Sequence, residues 1–190
     1  RRIDGSWCSE AGVADRPLWW VHGSEPGRWF GVGAQGLILF SDSGVITDES
    51  VDTEATLYGV WDTGDTVWAV GGEVWGDQLG EVWRRDEGIW TLVDDQIPGV
   101  LFKVWEDWIV GDNILYQRSG TELIAHPGVG RLLTVRGRAA DDIWAVGGLT
   151  SSLVMHFDGS GWSEVDTSGI GQPLTGIWTA PGQDVWITGN

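Results

Sequence analysis

The chain has 190 residues, 42% of them apolar, with 28 acidic side chains against 11 basic ones and a formal charge of −17. This suits one globular domain and excludes a disordered chain. The charge disfavours nucleic acid and anionic lipid as partners, since both are bound by cations that release counterions, and no apolar run approaches the ~20 residues that a spanning helix needs.

The first predicted element is a hairpin around Ile3-Asp4-Gly5-Ser6-Trp7-Cys8-Ser9-Glu10, in which Asp-Gly supplies a tight turn. Leu18-Trp19-Trp20-Val21-His22 and Trp29-Phe30-Gly31-Val32-Gly33 follow, and Phe40-Ser41-Asp42-Ser43-Gly44 marks a second hairpin. The order then recurs. Leu57-Tyr58-Gly59-Val60-Trp61 and Val67-Trp68-Ala69-Val70-Gly71 precede an inserted loop, Glu73 to Gly80, and a hairpin at Arg85-Asp86-Glu87-Gly88 that leads into Trp90. Leu101-Phe102-Lys103-Val104-Trp105, Asp107-Trp108-Ile109-Val110-Gly111 and the turn Arg118-Ser119-Gly120 form a third unit. Leu132-Leu133-Thr134-Val135-Arg136, Ile143-Trp144-Ala145-Val146-Gly147 and Phe157-Asp158-Gly159-Ser160-Gly161-Trp162 form a fourth, with a shorter loop around Leu149-Thr150-Ser151-Ser152. Leu174-Thr175-Gly176-Ile177-Trp178 and Val185-Trp186-Ile187-Thr188-Gly189 end the chain. These runs are too short for helices, rich in aromatic and β-branched residues and bounded by Gly and Asp, so they read as strands.

Equivalent Val/Ile positions recur every 31 to 44 residues, the spacing of one supersecondary unit per repeat. The C-terminus supplies the first two strands of a unit and the N-terminus the last two. That division predicts an all-β, five-bladed β-propeller with four antiparallel strands per blade, its ring closed by N-terminal outer strands pairing with C-terminal inner strands. Residues 1–190 form one domain, with blades at about 18–56, 57–100, 101–130, 131–173, and 174–190 plus 1–17.

Val60-Trp61…Val67-Trp68-Ala69-Val70-Gly71 and Asp142-Ile143-Trp144-Ala145-Val146-Gly147…Asp158-Gly159-Ser160-Gly161-Trp162 resemble the Trp-rich repeats of bacterial β-propellers. The resemblance covers the whole chain, implies architecture and leaves activity open; Phe30 stands where the other second strands carry Trp. Such repeats occur in surface and secreted proteins, and a chain opening at Arg1 is compatible with removal of an upstream leader. An extracellular or cell-surface location in a bacterium is therefore expected.

Ten tryptophans occupy equivalent places and read as packing: Trp7, Trp61, Trp68, Trp90, Trp105, Trp108, Trp144, Trp162, Trp178 and Trp186. Trp19, Trp20, Trp29, Trp75 and Trp83 fall outside that pattern. Trp75, in the inserted loop beside glycine and acids, is the first candidate for an exposed ring that stacks on a sugar or fills a partner's pocket, with Trp19 and Trp20 next. At the end of the first strand three units place Trp and two place His22 and Arg136. Arg136, close to Arg138, is a candidate clasp for a carboxylate, against the plainer reading of an ion pair with Asp141 or Asp142.

His22, His126 and His156 are isolated, Cys8 is alone, and no calcium-loop motif occurs, so neither a metal nor a cofactor is expected. Some five-bladed propellers are glycosidases with acids from different blades. Here the acids Asp62, Glu106, Asp142 and Asp184 sit in repeated turns where Asp has an ordinary hydrogen-bonding role, and no nucleophile elbow or phosphate loop is present. The expected function is non-enzymatic: binding of a protein with a basic surface through loop aromatics, with a lectin-like module as the alternative and a glycoside hydrolase third.

Overall fold

A computed structural model describes residues 2–3, 5–7, 14–126 and 129–189. The described residues form strands and turns without a helix. A hairpin comes first, β1 (Arg2–Ile3) and β2 (Ser6–Trp7). Blade one is β3 (Leu18–Glu25), β4 (Arg28–Gly33), β5 (Ile38–Asp42) and β6 (Val45–Asp48); blade two is β7 (Thr56–Asp62), β8 (Val67–Gly72), β9 (Leu79–Asp86) and β10 (Ile89–Pro98). Blade three is β11 (Leu101–Trp105), β12 (Trp108–Gly111), β13 (Ile114–Ser119) and β14 (Glu122–Ala125); blade four is β15 (Leu132–Ala139), β16 (Asp142–Gly147), β17 (Leu153–Phe157) and β18 (Trp162–Glu164). A last hairpin joins β19 (Leu174–Trp178) to β20 (Trp186–Gly189). Each blade is a meander of four strands in chain order, antiparallel throughout.

Alternation along the second strands explains how the blades stack. In β8, Val67 and Ala69 point into the core shared with blade one, and Trp68 and Val70 into the core shared with blade three. Likewise Trp108 of β12 faces blade four and Trp144 of β16 faces β19 and β20. Each interface is a layer of apolar side chains, as a period of two along strands buried on both faces requires. The Val-Gly pairs that end these strands have a steric cause. A Cβ on Gly33, Gly71, Gly111 or Gly147 would run into the carbonyl oxygen of Pro17, Thr56, Val100 or Arg131, at the entry to the neighbouring inner strand.

Polar clasps cross the same interfaces. Glu49 of blade one accepts from Arg85 Nε at 2.7 Å, Arg85 Nη2 at 2.8 Å and Trp90 Nε1 at 3.0 Å, all from blade two. Asp112 of blade three holds Arg131, which leads into blade four, through two hydrogen bonds at 3.0 and 2.7 Å.

The expected closure is not shown. Among the described residues, β1–β2 and β19–β20 stand as separate two-stranded sheets, with no pairing between them. Trp186, the counterpart of the buried Phe30, Trp68 and Trp108, is 64% exposed. At the other end of the row Leu18, Trp19, Trp20 and Val21 of β3 are also exposed.

Candidate functional site

The five inner strands β3, β7, β11, β15 and β19 lie side by side in succession. Their last equivalent residues are His22, Trp61, Trp105, Arg136 and Trp178, each opposite the large residue of the second strand: Phe30, Trp68, Trp108, Trp144 and Trp186. The shared register brings these residues to one end of the inner wall. The His22 ring stacks on Trp61 at 4.0 Å, and Trp61 meets Trp105 at 6.0 Å with the rings tilted by 57°. His22 Nδ1 accepts the Asp62 backbone N–H at 3.0 Å. Burial lowers the His22 pKa below that of a free histidine; the Asp62 carboxylate opposes this, and the nearby Arg136 cation adds to it.

Beside this mouth, between blades three and four, lies a cavity of about 570 Å³, within the size range of ligand pockets. Trp105, Trp108, Ile143 and Phe157 supply its apolar walls, and Ala180 and Pro181 cover it from the turn after β19. Arg136, Arg138, Glu106 and Asp107 form its polar edge. Trp105 occupies this position because residue 137 is glycine: a Cβ there would overlap the far edge of the indole.

Arg136 donates through Nε to the Thr179 carbonyl at 3.2 Å, and its terminal nitrogens make no hydrogen bond to a described residue. It is oriented, charged and uncommitted. The plainer reading of an ion pair with Asp142 applies to its neighbour instead. Arg138 Nε bonds Asp142 Oδ2, and Arg138 Nη1 bonds the Gln183 carbonyl. Burial alone would raise the Asp142 pKa, but hydrogen bonds from Arg138, His156 and Trp144 outweigh it and hold the carboxyl below its usual range.

His22 and Arg136 thus converge at the mouth, with Arg138 on the cavity edge. Trp19 and Trp20 lie nearer the other end of β3, where Trp19 meets Tyr58 edge-on at 5.5 Å. Trp75 stands apart from the cavity and is 85% exposed. Of the four acids in repeated turns, Glu106 borders the cavity and Asp184 is exposed. Asp62 exceeds an ordinary turn role: besides accepting from the Gly64 amide, it is buried and receives Arg28 and Ser24. Trp105, read from the sequence as packing, is a cavity wall, and Trp178 is half-exposed at the mouth.

No protein-family model matches the chain, and no curated protein does. Solved structures do match. One is described as YCF48 bound to D1 peptide (TM-score 0.65, 16% identity over 98% of this chain and 66% of that one). A second is the crystal structure of the WD40 β-propeller domain of Doa1 (TM-score 0.64, 11% identity over 93% of this chain and 63% of that one). A third is YCF48 from Cyanidioschyzon merolae (TM-score 0.66, 14% identity over 98% of this chain and 72% of that one). The chain spans roughly two thirds of the length of these structures. At such identities the likeness concerns the fold, and the fold is that of a β-propeller.

Proposed function

We propose that the chain is a non-enzymatic scaffold that binds a peptide segment of another protein at the mouth of its inner wall, in an extracellular or cell-surface setting in a bacterium. The carrying observation is the cavity of about 570 Å³ whose aromatic walls adjoin the uncommitted terminal nitrogens of Arg136. An apolar side chain of the partner enters between Trp105, Trp108 and Phe157. A carbonyl or carboxylate beside it accepts from Arg136, a geometry suited to bidentate recognition. Trp75, Trp19 and Trp20, apart from this mouth, offer separate exposed indoles. The net charge of −17 favours a partner with a basic surround and makes association salt-sensitive. A propeller of the same fold is described as bound to a peptide, which supports this reading. Asp62 and Asp142 are both engaged by arginines, which favours a binding role over the paired free carboxylates of a glycosidase.

The reading includes a fifth blade made from both chain ends, supported by two half-sheets that add up to one blade of four strands. A lectin-like role is the second reading, and the exposure of Trp75 favours it, since an indole open to solvent suits stacking on a sugar face.

Selection from a phage-displayed library of linear peptides tests the proposal. Selected peptides are expected to bind the wild-type chain and to lose at least tenfold in affinity for Arg136→Ala and for Trp105→Ala. Affinity for both variants equal to that for the wild-type chain would overturn the site, and glycan binding abolished by Trp75→Ala without any peptide binding would favour the second reading.

A further inference from the structure

The cavity beside the mouth opens where one turn is short. In blade three only Glu106 and Asp107 stand between Trp105 and Trp108, which pair directly across β11 and β12. The matching links, Gly137 to Ile143 in blade four and Thr179 to Val185 in the last hairpin, are longer. Arg138, Ala140, Ala180 and Pro181 from those links line the space that blade three leaves open. A two-residue hairpin link needs a left-handed residue, a conformation that glycine meets at no steric cost. Here Glu106 adopts it, with φ at 49°. The position thus carries a carboxylate where glycine would be unstrained, and that residue borders the cavity.

Of the four charged residues on the cavity edge, two are committed to each other's neighbours and two are free. Asp107 is bound by Arg118 at 2.6 Å, and Arg138 is bound to Asp142. Glu106 accepts from Arg118 through its backbone carbonyl, and its carboxylate makes no hydrogen bond or ion pair to a described residue. Arg136 keeps its terminal nitrogens free. The free anion stands on the turn of blade three, whereas the free cation belongs to blade four and is drawn toward β19 by the Thr179 carbonyl. The recess therefore offers an acceptor for a cation from one blade, donors to an oxygen from another, and the apolar surfaces of Trp105, Trp108, Ile143 and Phe157 with them.

We propose that this recess takes the free amino terminus of a partner chain. The α-ammonium pairs with Glu106, the first side chain is apolar and enters between Trp105, Trp108 and Phe157, and the first carbonyl accepts from Arg136. The inference rests on the peptide-binding reading above and specifies which part of the peptide is held. The backbone of an internal segment carries no cation and leaves Glu106 unanswered. A carboxyl terminus satisfies Arg136 but adds an anion beside Glu106 and Asp107, in a chain whose formal charge is −17. An amino terminus answers both free charges at once.

The test selects peptides from a library displayed with free amino termini and synthesises one of them with a free α-amine and N-acetylated, together with the amide of its first residue alone. Each is titrated by calorimetry into the wild-type chain, Glu106→Gln, Arg136→Ala and Trp105→Ala. The free-amine peptide is expected to bind the wild-type chain at least tenfold more tightly than the acetylated one. Glu106→Gln is expected to abolish that difference while binding the acetylated peptide as the wild-type chain does, which also shows that the variant folds. Affinity for the free amine should fall as pH rises through the α-amino pKa of ~7.7–8.0, and affinity for the acetylated form should not. Equal binding of the two forms, with loss in Arg136→Ala, would overturn the amino-terminal inference and leave the peptide site standing. Binding indifferent to Arg136→Ala and Trp105→Ala, or no selected peptide at all, would overturn both. Affinity for the first-residue amide equal to that for the peptide would overturn the partner chain as the source and make a free amino acid the ligand.

Discussion

Arg28 of blade one places Nε 2.8 Å from the carboxylate of Asp62, whose side chain in blade two is wholly buried. Burial alone would raise the Asp62 pKa; the hydrogen bonds from Arg28, Ser24 and the Gly64 amide outweigh it and leave the carboxyl below its usual range. Arg28→Ala strands a buried charge and is expected to cost about 3 kcal/mol. A folded-state pKa below the unfolded value gives stability that is present above ~pH 4 and is lost as pH falls through the folded value. Urea unfolding at pH 7 and pH 3 checks both: the gap between wild type and Arg28→Ala should narrow at the lower pH.

His22 also loses its contribution on acidification. Its folded pKa is lowered, so the unfolded chain binds more protons as pH drops below 6.5, and the contribution present above 6.5 is lost as pH falls to the folded value. Protonation also removes the lone pair that accepts the Asp62 N–H. The unfolding midpoint of the wild-type chain should decrease between pH 7.5 and 5.5, and His22→Gln should reduce that decrease. Identical pH slopes would remove His22 from the account.

Gly137→Ala tests how the cavity is shaped. The new methyl overlaps the Trp105 indole and forces it inward, at a cost of about 1–3 kcal/mol for overpacking. Loss of peptide affinity is expected alongside the lower midpoint. The double variant Gly137→Ala/Trp105→Leu should recover stability without recovering binding.

Cross-linking tests the fifth blade. With Cys8 replaced by Ser, the pair Arg2→Cys and Thr188→Cys brings a thiol of β1 near one of β20 if the two half-sheets join. A short bis-maleimide should then link them within one chain at low protein concentration. Links formed only between chains would show that β20 offers its edge to a different strand.

Much of the fold was legible because packing repeats. The Trp and Val of each second strand, the Gly that ends it and the Asp-Gly or Ser-Gly turns recur where steric demand recurs, so strand positions and four blades follow from spacing. The site was legible only where a repeat was broken, at His22 and Arg136. Trp105 was hidden because a tryptophan in a repeated position reads as packing, and only Gly137, on the neighbouring blade and distant in sequence, makes it a wall. The partnership of Arg138, and not Arg136, with Asp142 depends on the bulge near Gly137, which spacing does not report.

Amide hydrogen exchange with a library-selected peptide bound tests the binding site most directly. Protection is expected at residues 105–108, 136–140 and 179–181, where the cavity walls, Arg136 and the covering turn lie. Protection confined to the loop around Trp75, with none at those three segments, would contradict it.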